Sequence, residues 1–128
     1  MWVLGPISGA HLNPVVTLSG RLLGDARGAM PIAVCLGAQL TGAVGGCLLA
    51  NAMFGVPATI STRDRAAPGT VLAELVATAG LVLVVFALSR AGRPLLIAPA
   101  VGAYIGAAYW FTSSTGFANP AVTIGRMF

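Results

Sequence analysis

Two Asn-Pro pairs, Asn13-Pro14 and Asn119-Pro120, are the residues of this sequence best placed to do chemistry. Asparagine is favoured just before a helix, and proline suits the first helical position because the N–H that it lacks would have no partner there. Each pair therefore predicts a helix that starts abruptly, with free backbone N–H groups and the positive end of its dipole pointing outward. The two asparagine amides would offer further N–H donors at these helix ends.

The residues around the two pairs form a repeat. When Asn13 is aligned with Asn119, Ser8 aligns with Ser114, and a Val-Thr dipeptide follows each pair at the same distance. Three long apolar stretches separate the copies, and an odd number of membrane crossings inverts the second copy relative to the first. Inverted repeats of short, interrupted helices indicate a solute site near the middle of the membrane.

Such a pair of helix starts favours small uncharged solutes. A water molecule that accepts hydrogen bonds from both asparagine amides has its own hydrogens turned away from the next water, which interrupts proton transfer. The converging positive dipole ends also repel cations and protons. The sequence offers no nucleophile–base pair, metal cluster or phosphate-binding loop, so we predict neither an enzyme nor a cofactor.

The composition is that of a membrane protein. Of the 128 residues 57% are hydrophobic and only 8% are charged, whereas soluble domains carry about 25% charged residues. The net charge of +4 comes from scattered arginines, and a nucleic-acid surface needs clustered basic groups. We therefore expect a lipid bilayer as the surrounding medium and no nucleic-acid partner.

The apolar stretches define five helical segments within a single domain, residues 1–128. Three are long enough to cross a membrane, at about residues 31–53, 71–88 and 95–111. Two are too short to cross and begin at the Asn-Pro pairs, at residues 14–23 and 120–128. The predicted fold class is an all-α membrane protein with three full transmembrane helices and two inverted Asn-Pro half-helices.

The two repeat copies resemble the signature loops of the aquaporin (major intrinsic protein) family. Residues 8–17 and 116–123 carry the resemblance, with Val15 in the first motif and Ala121 in the second at the position after proline. Residues 37–43 are similar to the third span of that family, and residues 73–78 to the fourth. The resemblance implies a passive channel for small neutral solutes, assembled as a homotetramer in a cell membrane, here a bacterial plasma membrane.

The resemblance also implies a wide selectivity filter. Val122 occupies the position where the family usually carries an arginine, and the region that holds a histidine in water-selective members is Gly106-Ala107. Phe117 and Gly116 are the other residues expected to shape the outer constriction. A filter without a fixed cation resembles the aquaglyceroporin branch. The string that ends at Arg126 resembles a bacterial subgroup associated with arsenic resistance, whose proposed substrate is neutral arsenous acid.

Three further polar residues, Glu74, Gln39 and His11, are predicted to support the signature loops or to line the pore mouth. In the family, the residue that matches Glu74 braces a signature loop by accepting backbone hydrogen bonds, and Gln39 is expected to do similar work at a helix interface. His11 either lines the pore mouth or simply packs. As the sole histidine, with no neighbouring acid or cysteine partner, it does not predict a metal site.

A rival interpretation is a truncated family member without transport activity. The family fold has six spans and two half-helices, and by this resemblance spans one, two and six are missing from the sequence. Three spans would enclose only part of a pore and would leave polar backbone facing lipid, at a cost of several kcal/mol for each unsatisfied group. The sequence leaves the channel and the remnant open as alternatives.

Overall fold

The structure, a computed structural model, describes residues 3–24, 30–62 and 67–128. The regular elements in these ranges are all helical, and three helices are long and apolar enough to cross a membrane: Ile32–Phe54, Pro68–Arg90 and Pro94–Phe111. This confirms the predicted fold class. The arginine-bearing segments 25–29 and 63–66 lie outside the described residues.

The first long helix, α3 (Ile32–Phe54), is predominantly apolar and has no buried residue. Apolar residues distributed around the whole helix are typical of a membrane span, and the polar Gln39 and Asn51 bond neighbouring elements. It begins after Pro31 and ends at Gly55, whose left-handed backbone (φ 65°) closes the C-terminus. These ends lie within a residue of the expected 31–53.

The second long helix, α4 (Pro68–Arg90), is longer at both ends than the expected 71–88. It starts earlier because Pro68 occupies the first turn, where a missing N–H has no consequence. Its buried residues are Ala77, Leu81 and Val85. These recur every four positions, so they form one stripe along the helix, and that stripe packs on α5.

The third long helix starts with a single 3₁₀ turn (Pro94–Leu96) and continues as α5 (Ile97–Phe111). Pro99 therefore falls in the first turn of the α-helix, where its lack of an N–H breaks no hydrogen bond. Tyr104 joins this helix to α4, because its hydroxyl donates to the Ala77 carbonyl oxygen at 2.9 Å. A side chain at Gly80 would collide with the same Tyr104 ring.

The two half-helices follow the Asn-Pro pairs. The first, α2 (Pro14–Leu22), ends one residue before the predicted 23. The second, α6 (Pro120–Gly125), is shorter than the expected 120–128. Its last residues tighten into i→i+3 hydrogen bonds, from Met127 N to Ile124 O and from Phe128 N to Gly125 O, which is a common way for a helix to end. A four-residue helix, α1 (Gly5–Ser8), was not predicted.

The described residues fall into two compact units. One lies within Met1–Ala10 and Asp64–Ala118 and contains α1, α4 and α5; the other lies within His11–Arg63 and Asn119–Phe128 and contains α2, α3 and α6. In the second unit α6 packs tightly on α3, since a Cβ at Gly125 would lie 2.7 Å from the Ala43 carbonyl oxygen. Asn51 holds the end of α6 by donating from Nδ2 to the Phe128 carbonyl oxygen at 2.7 Å.

Candidate functional site at the Asn-Pro turns

Each motif asparagine caps its own half-helix. Asn13 and Asn119 have extended backbones, and their Oδ1 atoms accept from the N–H of Val15 at 2.9 Å and of Ala121 at 3.1 Å. This is the geometry of an N-cap, in which the side-chain oxygen satisfies an N–H of the first turn. Because Oδ1 faces the helix, the NH₂ group of each amide is directed away from it.

The starts of the two half-helices meet within the second unit. Asn119 Nδ2 donates to the Leu12 carbonyl oxygen at 2.9 Å, and Leu12 directly precedes the cap of α2. The first half-helix is well enclosed at this point, since Asn13 is 7% exposed. The sequence therefore brings two helix N-termini together from opposite ends of the chain.

The loops that lead into the half-helices share a backbone conformation. Gly9 and Ala10 before the first half-helix, and Thr115 and Gly116 before the second, all have positive φ, at 74°, 50°, 65° and 59°. These are matching positions of the repeat. Ala118 adds a fifth positive φ, of 47°, just before Asn119. Non-glycine residues adopt this region at a cost, and such strain concentrates at functional sites.

Gln39 of α3 holds the first loop. Its Nε2 donates to the His11 carbonyl oxygen and, at 2.9 Å, to the Thr17 hydroxyl. Thr17 in turn donates to the Asn13 carbonyl oxygen at 3.1 Å. The carbonyls on either side of Leu12 are thus tied, directly or through Thr17, to the amide of Gln39.

Glu74 of α4 holds the second loop. Its two carboxylate oxygens accept from the backbone N–H groups of Phe117 at 2.9 Å and Ala118 at 2.7 Å. Ser113 adds a second attachment to the same helix, since its hydroxyl donates to the Gly69 carbonyl oxygen at 3.3 Å. Two points on α4 therefore fix the chain that leads to Asn119.

The expected filter residues are divided between the two units. Val122 lies in the second unit and is 36% exposed, whereas Gly106 and Ala107 are exposed residues of α5 in the first. Gly116 is buried, and a Cβ there would lie 3.0 Å from the backbone of Ala108. Phe117 is half-buried. The roles of these residues in selectivity remain predictions.

His11 contributes a backbone carbonyl to the site through Gln39, and its side chain is half-buried. Its assignment to the pore mouth also remains a prediction. Among the described residues, no group of three or more His, Cys, Asp and Glu side chains could hold a metal ion.

Sequence reasoning missed Thr17, Ser113 and Tyr104 as participants in this architecture. For Thr17 a signal existed, because the Val-Thr dipeptide recurs in both copies of the repeat. The hydroxyls of Ser113 and Tyr104 bond backbone carbonyls of α4. The partners of these two hydroxyls depend on how the helices pack, and no local sequence pattern predicts them.

Three apolar helices of membrane-spanning length, with two half-helices that meet at their N-termini, define an integral membrane protein of the interrupted-helix type. The chain matches the family described as Major intrinsic protein over residues 1–128, and it belongs to that family of aquaporins.

Two relatives illustrate the match. The chain is 46% identical to the aquaglyceroporin AqpS of Rhizobium meliloti (strain 1021) over 131 residues, which cover 98% of the chain and 54% of that relative. It is 32% identical to Aquaporin-5 of Ovis aries over 96 residues, which cover 70% of the chain and 36% of that relative. The chain thus spans about half, or less, of the length of these relatives. No solved structure matches it.

Proposed function

We propose that this chain forms the solute-conducting part of a passive membrane channel for water, glycerol and similar small uncharged molecules. The observation that carries the proposal is the hydrogen bond from Asn119 Nδ2 to the Leu12 carbonyl, which joins the starts of the two half-helices. An amide nitrogen has two hydrogens, so this bond leaves the second one to donate to a passing solute. A hydroxyl or water oxygen is the acceptor that suits it.

Charge is excluded by the same arrangement. Each helix start carries a partial positive charge of about half an elementary charge, so two starts that meet oppose the entry of a cation. Neutral solutes do not experience this barrier. The proposal therefore describes a channel and not an enzyme, without a cofactor.

Glycerol is included because of Val122, which we assign to the outer filter. An aliphatic side chain leaves more room than an arginine and can contact the carbon backbone of a polyol. The likeness to a protein named an aquaglyceroporin supports this choice. Arsenous acid, a neutral polyhydroxyl molecule of similar size, is a further proposed substrate. We also propose a homotetramer in the bacterial plasma membrane.

Flux through proteoliposomes tests the function. The 128-residue chain is compared with a chimera in which it replaces the matching part of the Rhizobium aquaglyceroporin, of which it covers 54%. Stopped-flow light scattering reports water and glycerol entry against empty vesicles. Glycerol entry in the chimera above the empty-vesicle rate is expected.

The same measurement decides between the channel and the rival interpretation. If the chimera conducts and the 128-residue chain does not, the chain needs the remaining residues to form a pore. If neither conducts while the Rhizobium protein does, these residues have lost transport activity and the proposed function is wrong.

A substitution at Val122 tests its assignment to the selectivity filter. Val122→Arg in the chimera should narrow the filter and add a strongly hydrated charge, so glycerol flux should fall by about tenfold while water flux falls less. Ile124→Arg is the matched control for Val122→Arg, because it adds the same charge at another exposed residue of α6. Val16, the repeat counterpart of Val122, is buried and cannot serve as a control. An unchanged glycerol-to-water ratio in Val122→Arg would remove Val122 from the filter.

A further inference from the structure

Three consecutive carbonyl groups in the first loop are all engaged by side-chain donors. The His11 carbonyl accepts from Gln39, the Leu12 carbonyl from Asn119, and the Asn13 carbonyl from Thr17. These donors come from α3, from the cap of α6 and from α2. Gln39 and Asn119 therefore hold the first helix start from outside α2, whereas the Thr17 bond lies within α2 and is connected to α3 because Thr17 also accepts from Gln39.

Thr17 has a defined role in this network because its partners determine the direction of each hydrogen bond. The Gln39 NH₂ group can only donate, so the Thr17 oxygen accepts from it, and the Thr17 hydrogen goes to the Asn13 carbonyl. Thr17 is 3% exposed, which leaves little room for another arrangement. Both hydrogens of Gln39 Nε2 are then used, on His11 and on Thr17.

The amide group of Gln39 lowers the stability of the fold in one respect. Its Oε1 atom is buried and has no hydrogen-bond partner among the described residues. Unpaired buried acceptors are disfavoured, and an apolar side chain of similar length would avoid the problem. The two bonds made by Nε2 explain the choice of glutamine, because the His11 carbonyl requires a donor and the Thr17 hydroxyl, whose hydrogen goes to Asn13, accepts a second one.

The second copy of the repeat lacks this connection. Thr123 matches Thr17 and donates to the Asn119 carbonyl oxygen at 3.2 Å in the same way. However, Thr123 is an exposed residue. Its bond with Asn119 is local to α6 and follows from helix geometry alone. The two threonines thus have the same chemistry and the same place in the repeat, but within the described part of the chain only Thr17 bonds to another helix.

We propose that Thr17 is a positioning residue for solute passage: its hydroxyl transmits the hold of Gln39 to the Asn13 carbonyl and keeps the cap of α2 opposite Asn119. This inference rests on the proposed channel function. Without the hydroxyl, α3 would hold the first loop only at His11. The Asn13 carbonyl would still accept from the Thr17 backbone N–H at 3.0 Å, but α2 would lose its hydrogen bond to α3, and the Asn13 cap would be held less firmly at the junction of the two helix starts.

Matched variants in the chimera test this role. Thr17→Val removes the hydroxyl and keeps the shape, and we expect glycerol permeability to fall about fivefold, as the loss of a single hydrogen bond would produce. Thr17→Ser restores the hydroxyl and should recover most of the flux. Thr123→Val removes the matching hydroxyl from α6 and should leave the flux near the unmodified value. Equal losses in Thr17→Val and Thr123→Val, or no rescue by Thr17→Ser, would overturn the proposal.

A second measurement does not depend on conduction. Thermal unfolding of the 128-residue chain in detergent is compared for Thr17→Val, Gln39→Met and the double variant. A shared network predicts that the double variant loses less stability than the two single losses combined. Additive losses would contradict the network even if the channel conducts. If the stability losses are coupled but the chimera shows no glycerol flux, the network exists and the proposed channel function is wrong.

Discussion

The two loops that lead into the half-helices, residues 8–13 and 114–119, have similar sequences and share a pair of residues with positive φ, yet their anchoring side chains have opposite hydrogen-bonding roles. The first presents a carbonyl to its anchoring helix, and the Gln39 amide donates to it. The second presents two N–H groups, and the Glu74 carboxylate accepts them. The anchoring side chain is therefore a neutral donor, Gln39, in the first copy of the repeat and a charged acceptor, Glu74, in the second.

The difference arises at the residue before each asparagine. Ala118 has a positive φ of 47°, and it donates with Phe117 to the same carboxylate. Successive N–H groups in such a conformation form a concave site for an anion. Leu12, at the matching position, is not among the residues with positive φ. Its carbonyl instead accepts from Asn119. A repeat can thus preserve its helix caps while the polarity of the supporting side chain is reversed.

Exchanging the polarity of the first anchor should have the largest effect. Gln39→Glu places a carboxylate against the His11 carbonyl, where it cannot donate, and we expect about 3 kcal/mol of lost stability. Gln39→Met, which removes the donors without adding charge, is the control and should lose less. Thermal unfolding in detergent gives both values. If Glu is tolerated as well as Met, the polarity of this anchor does not matter.

The reciprocal change at the second anchor should have a somewhat smaller effect. Glu74→Gln leaves one acceptor oxygen for two N–H groups and turns an NH₂ toward one of them, with a loss of about 2 kcal/mol. Glycerol flux through the chimera should also fall, because the segment that leads to Asn119 loses an attachment. Ser113→Ala is the comparison, since it removes only the 3.3 Å bond to Gly69. A loss no greater than that of Ser113→Ala would show that the charge of Glu74 is dispensable.

A change that disturbs the close packing of the second half-helix should reduce stability by a smaller amount again. Gly125→Ala adds a methyl group 2.7 Å from the Ala43 carbonyl oxygen and should push α6 from α3, at about 1 to 2 kcal/mol. Gly42→Ala, on α3, is the matched control because nothing lies within 4 Å of its added Cβ. Alanine favours helix there, so that variant should be neutral or stabilised. The same unfolding assay reports both, and equal stability of the two variants would contradict the packing of α6 on α3.

The sequence predicted what depends on local chemistry and missed what depends on packing. Proline at the first turn and asparagine before it determine where α2 and α6 begin, and both helices start at the expected prolines, Pro14 and Pro120. Their ends differ from the expected 23 and 128: α2 ends at Leu22, and α6 stops at Gly125 because its last turn tightens. The bond from Asn119 to Leu12 joins residues far apart in the chain, and only the repeat suggested that they meet. The repeated Val-Thr dipeptide marked Thr17 but not its bond with Gln39, and the Tyr104 contact had no pattern at all.

Replacing Asn119 by aspartate tests most directly whether the meeting of the two helix starts conducts solute. Aspartate caps a helix as well as asparagine does, so α6 should persist. Its side chain has no N–H hydrogens, however, and it would place a negative charge against the Leu12 carbonyl, which accepts from Asn119 Nδ2 at 2.9 Å. Glycerol flux through the chimera carrying Asn119→Asp should fall to the empty-vesicle rate while circular dichroism shows unchanged helix content. Flux equal to that of the unmodified chimera would contradict solute passage at the Asn-Pro junction.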